Sequence, residues 1–85
     1  MTVRITVAEG EPTRLVRLEG RLTGDAWPEV EHALGEDPAK AALDLSGLSG
    51  ADAVALDGLR RLLARGFTLL RVPPHLAWRI EDHED

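Results

Sequence analysis

Apolar and polar positions along the chain change period several times, and each change marks an element. Val3, Ile5 and Val7 alternate with Arg4 and Thr6, the period of a strand with one buried face. "EGEP" (Glu9 to Pro12) reads as a turn. In "TRLVRLEG" (Thr13 to Gly20), Val16 and Leu18 share one face, Arg17 and Glu19 the other, so the two strands form a hairpin. In "RLTGDAWPEVEHALGEDP" the period changes. Trp27, Val30 and Leu34 then lie on one stripe of a helix, with Asp25 as its expected N-cap and Pro28 in its first turn. Gly35 and Pro38 end it.

"AKAALDLS" (Ala39 to Ser46) is almost continuously apolar, as suits a central strand covered on both faces. A Gly/Ser turn follows, then a helix from about Asp52 to Arg65 with Gly66 at its C-terminal cap. "FTLLRV" (Phe67 to Val72) reads as a strand. "PPHLAWRI" (Pro73 to Ile80) permits a short helix with Leu76 and Ile80 on one face. The expected order is β-β-α-β-α-β-α: an α/β domain with a mixed four-stranded sheet and helices packed on it. Residues 1–85 form one domain, with 81–85 as a solvated acidic tail.

Composition narrows the function. Hydrophobic residues make up 44% and charged residues 29% of 85 residues, the balance of a soluble globular domain. There is no cysteine, which excludes disulfides, thiolate metal sites and thiol nucleophiles. A net charge of −5 argues against nucleic acid as a partner. No apolar run reaches the length of a membrane span and no signal peptide is evident, so direct membrane insertion is not expected and a cytoplasmic location is. The small aliphatic core leaves room for a stabilising partner chain, including a homodimer.

The helix after Asp52 carries the most informative pattern. At 100° per residue, Leu56, Leu59, Leu62 and Leu63 cluster toward the sheet. Val54 lies about 160° from Leu56. It therefore points outward, on a face shared with Gly58, Arg61 and Arg65.

Three stretches in order, "RLVRLEGRLTG" (14–24), "LDLSGLSGADAVALDGLRRLLARG" (43–66) and "FTLLRVPP" (67–74), resemble the STAS domain, named for sulfate transporters and anti-sigma factor antagonists. Asp44, Leu45, Ser46, Gly47, Asp52 and Leu56 match its middle motif, and Ser49 sits where Thr is common. The resemblance covers about Val3 to Ile80. It implies a non-catalytic interaction module of bacterial regulation that docks a kinase-like anti-sigma factor and is released by phosphorylation just after the aspartate. Here the two hydroxyl positions are Ala53 and Val54, neither of which accepts phosphate, and Ala55 replaces a Gly. Ser49, Asp52, Ala53, Val54, Asp57, Gly58, Arg61 and Arg65 are then the expected partner-binding residues, without the usual phospho-switch. The other option is an accessory subunit of an ABC-type transport complex, the helix bracing the transporter ATPase. Relative to the family pattern, the chain is shortened at its C-terminal side, leaving an edge strand and Leu76, Trp78 and Ile80. Trp78 falls off the Leu76–Ile80 face and is a candidate second interface.

The remaining constellations are weaker. Asp52 reads as an N-cap, Ser46 and Ser49 as turn hydroxyls bonded to nearby backbone, and Asp44 as a strand-end residue bonded to loop amides. Glu29 and His32 are a helical pair without a third ligand, so no metal and no cofactor are expected. Ser49, His75 and Asp52 make a triad only on paper, with no nucleophile elbow, and no catalytic residue is assigned. No Walker-type phosphate loop is present. Arg60, Arg61, Arg65 and Arg71 read as a basic patch suited to an acidic partner surface.

Overall fold

The computed structural model describes residues 3–10 and 13–81. Glu11 and Pro12 of the expected turn, and the tail from Asp82, lie outside them.

The hairpin forms as its alternation requires: β1 (Arg4–Ala8) pairs antiparallel with β2 (Arg14–Leu22), Ile5 opposite Leu18 and Val7 opposite Val16. A 3-10 turn (Gly24–Ala26) leads into α1 (Trp27–Leu34), and a second (Pro38–Lys40) into β3 (Ala41–Ala51). After α2 (Ala53–Ala64) come β4 (Thr68–Leu70) and α3 (Pro74–Glu81). The sheet order is β1-β2-β3-β4, with β2, β3 and β4 mutually parallel. This is the expected mixed four-stranded α/β architecture with three helices.

Both crossovers step in the same direction across the sheet, and right-handed connections then put α1 and α2 on one face. The core lies there. Val16, Leu18 and Leu22 of β2 and Leu43, Leu45 and Leu48 of β3 pack under Val30 and Leu34 of α1, Leu56, Leu59 and Leu62 of α2, and Leu76 and Ile80 of α3. The alternate strand positions, Arg17 and Asp44 among them, belong to the face without helices.

Four expectations change. First, "LSGLSG" is not a turn: β3 continues to Ala51, paired with β2 throughout. Two register shifts place an extra β3 residue between Arg17 and Glu19 and another between Gly20 and Arg21. Such bulges keep Leu43, Leu45, Leu48 and Ala51 facing one way although their spacing is two, then three, then three. Second, β4 is shorter than Phe67–Val72, because Arg71 takes a left-handed φ of 51° and turns the chain away. Third, Asp25 is not the cap of α1. A 3-10 turn intervenes, the N-cap is Ala26 without a side-chain bond, and the Gly24 amide is taken by a distant carboxylate. Fourth, Leu63 is 40% exposed, outside the arc that Leu56, Leu59 and Leu62 bury. Gly35 (φ 78°) and Gly66 (φ 99°) end α1 and α2 in the conformation that favours glycine.

Candidate functional site

Asp52 organises the junction between β3 and α2. As the N-cap its Oδ1 accepts the Ala55 N–H at 2.8 Å, one of the orphan donors of a helix start. Its Oδ2 accepts the Gly24 N–H at 3.0 Å, and its own N–H donates to the Leu22 carbonyl at 3.0 Å. One residue thus fastens the start of α2 to the loop leading to α1. The Ala55 and Gly24 amides hold the carboxyl below its ordinary range, because both bonds favour the charged form. Both carboxylate oxygens of Asp52 are thus bonded to backbone amides, as the capping reading expects.

Val54, in the first turn of α2, is 63% exposed. Its inner side rests on Gly24, where an added Cβ would lie 2.8 Å from Val54 Cγ1. Ala53 and Asp57 are exposed beside it, and Asp57 Oδ2 pairs with Arg61 Nη2 at 2.8 Å. These residues make one outward surface. Gly58 does not join it. It is buried, and the Trp27 ring lies so close that a Cβ would collide with Cε2 and Cζ2. The helical wheel misplaces Gly58 because the ring of Trp27, the first residue of α1, covers that edge of α2. In its place the surface gains Trp27, half-buried, its Nε1 donating to Glu31 Oε2 at 2.9 Å. A glycine in mid-helix was the available signal, since it marks a close approach or a cost without return.

Ser49 is exposed but belongs to β3, not to the helix face. Its carbonyl lies 3.2 Å from His75 Nε2, which ties α3 to β3 and involves no serine hydroxyl. Arg65 sits over the Phe67 ring at 5.1 Å. The four arginines expected as one basic patch are separated. Arg60 donates to the Arg79 carbonyl at 2.8 Å, Arg61 pairs with Asp57, Arg65 stacks, and Arg71 reaches the opposite side of the sheet. Trp78 is 63% exposed on α3.

Asp44 is not at a strand end. It is buried in mid-β3 on the helix-free face, paired there with both β2 and β4. Arg71 Nη2 donates to Oδ2 at 2.9 Å and the Ser46 N–H to Oδ1 at 2.9 Å. The Arg71 bond, aided by the Ser46 amide, outweighs burial and lowers the carboxyl to about 2. A charge so placed is tolerated because each carboxylate oxygen has a hydrogen-bond donor, one of them a guanidinium. Among the described residues, no three His, Asp or Glu side chains converge as a metal site, and no helix is long and apolar enough to cross a membrane.

No protein-family model matches this chain, and no curated protein matches it. Among solved structures it is similar to that of an uncharacterized DUF3478-family protein with a SpoIIAA-like fold from Shewanella loihica PV-4. The two are 23% identical over 78% of this chain, with a TM-score of 0.45. The chain spans 62% of that protein's length.

Proposed function

We propose that this chain is a non-catalytic, STAS-type protein-interaction module that docks a protein partner through the outward face of α2. The observation that carries the reading is Val54: an apolar side chain 63% exposed in the first turn of a helix whose N-cap is anchored twice. Ala53, Asp57 and Arg61 continue that face and Trp27 closes its inner edge. A rigid, preorganised surface loses little freedom on binding. With Ala53 and Val54 at the hydroxyl positions of the STAS motif, docking here is constitutive. A phosphate, which would bring roughly −1.5 to −2 charge to the helix start, has nowhere to attach at those two positions.

The reading is tested by capture with wild-type and Val54→Asp chains as bait. The expected partner is a kinase-like anti-sigma factor, retained by the wild type and lost with Val54→Asp. Thermal unfolding of the variant is expected to change little, because the side chain is mostly solvated and a carboxylate is tolerated at a helix N-terminus. Recovery of a transporter ATPase instead would assign the module to an ABC-type complex. Unfolding by Val54→Asp would overturn the surface itself, and hydrolysis by the purified chain, lost on Ser49→Ala, would overturn the non-catalytic reading.

A further inference from the structure

The acidic chain hides a cationic face. On the side of the sheet without helices stand Arg4, Arg17 and Arg21, with Arg71 reaching in from the end of β4; the described strands add two carboxylates there, Glu19 and Asp44, and Asp52, just past the end of β3, lies near enough to Arg21 for its carboxyl to feel that charge. All four arginines are exposed, whereas Asp44 is buried and spent on Arg71. Among the described residues up to Ile80, the rest of the chain holds the other six basic residues and eight acidic ones. The net charge of −5 therefore does not extend to this face, on whose strands four guanidiniums stand against two carboxylates.

Glycines in β3 make this face flat. A Cβ at Gly47 would lie 2.7 Å from Glu19 Cγ, so that side chain lies across the strand and brings its carboxylate to Arg17 Nε at 3.5 Å. Arg21 reaches over Gly50, with Nη1 3.8 Å from where a Cβ would be. Among the described residues, Arg4 and Arg21 have no ion-pair partner. Half-buried Leu15 and Leu70 lie on the same face.

We propose that this sheet face is a second docking surface, for a carboxylate-rich polypeptide segment of a partner protein. The spacing selects a polyanion over a small ion. Arg17 and Arg21 are about 13 Å apart along β2 and Arg4 lies one strand away, so one phosphate or acetate would meet one guanidinium. An extended acidic chain would meet several, and guanidinium forks suit carboxylates. Nucleic acid fits poorly: Phe67 is buried, Trp27 is on α1 and Trp78 on α3, leaving this face without an aromatic platform for bases. A membrane surface fits poorly too, since the exposed large apolar residues Val7, Val54, Leu63 and Trp78 lie elsewhere. This surface is separate from the α2 face and stands or falls independently of it.

The test is a titration of isotope-labelled protein with a twelve-residue oligoglutamate, followed by amide and guanidinium NMR shifts. The expected result is shifts confined to Arg4, Arg17, Arg21, Ser46–Gly50 and Arg71, lost in 0.5 M NaCl. A triple variant, Arg4→Gln, Arg17→Gln and Arg21→Gln, is expected to weaken binding about tenfold, the sum of several modest exposed pairs. The salt arm needs no variant, so misfolding of the triple mutant does not rescue the idea. Absence of shifts on this face, shifts that persist at high salt, or a stronger response to a twelve-nucleotide oligothymidylate would each overturn it.

Discussion

At the scale of single residues, two positions carry more than their local sequence suggests. Gly58 would ordinarily gain from replacement by alanine, by roughly 1 kcal/mol in a helix interior. Here the Trp27 ring occupies the space of the new methyl group. Gly58→Ala is therefore expected to destabilise the fold by about 1–3 kcal/mol in denaturant unfolding. In a Trp27→Ala background the same substitution should become stabilising, and a cycle without that reversal would show that the ring is not the cause. Asp44 makes a prediction in pH. Its folded carboxyl titrates at about 2 against an ordinary 3.8, so the unfolded chain takes up the proton first as pH falls. The stabilisation is complete above about pH 4–5 and disappears toward pH 2. Asp44→Asn is thus expected to be less stable than the wild type at neutral pH, with the gap narrowing between pH 4 and 2. A constant gap over that range would mean that the Arg71 pair contributes nothing. Sequence alone showed Asp44 as a charge in an apolar run, but not its partner, because Arg71 comes from 27 residues away through a left-handed turn.

At the scale of elements, the sequence is legible wherever the period is regular and obscure where it breaks. The hairpin, the α1 stripe and the capped α2 follow from spacing alone, since each buries one face at a fixed repeat. β3 does not. Its inward positions after Leu45 are Leu48 and Ala51, three residues apart, which imitates a turn rich in Gly and Ser. Two bulges restore the alternation, and only pairing with β2 reveals them. The outward position of Val54 was legible for the same reason that α2 was, since it follows from helical phase, whereas Trp27 over Gly58 depends on where the chain before β3 sets the indole and has no local sequence code. Hydrogen exchange distinguishes the strand from the turn. Residues Ala42–Asp44 are flanked by β2 and β4, while Leu45–Ala51 border β2 alone. The former are expected to exchange slowest, and amides in the 45–51 stretch that bond to β2 should be protected in alternation. Uniformly fast exchange from Leu45 to Ala51 would restore the turn.

At the scale of the whole molecule, the question is whether the exposed apolar groups join into one surface. Val7 lies on β1, Val54 and Leu63 on α2, and Trp78 on α3. Scattered single apolar residues are ordinary on a monomer, and contiguous patches are what drive self-association. Of the two open sheet edges, β1 is five residues long and the β4 edge is blunted. β4 offers three residues and Arg71 then turns out of the strand direction, leaving little length for a second chain to pair. Attraction between the cationic sheet face of one copy and acidic groups of another would be head-to-tail, a contact that does not close and is screened by salt. The chain is therefore expected to sediment as a monomer of 9.3 kDa at physiological ionic strength. Trp78 gives a local readout of the same question. In a Trp27→Phe variant the remaining indole is 63% exposed and should be quenched freely by acrylamide at every protein concentration. Trp78 becoming shielded as concentration rises, together with a doubled mass, would instead identify α3 as a homodimer interface and remove the argument from scatter.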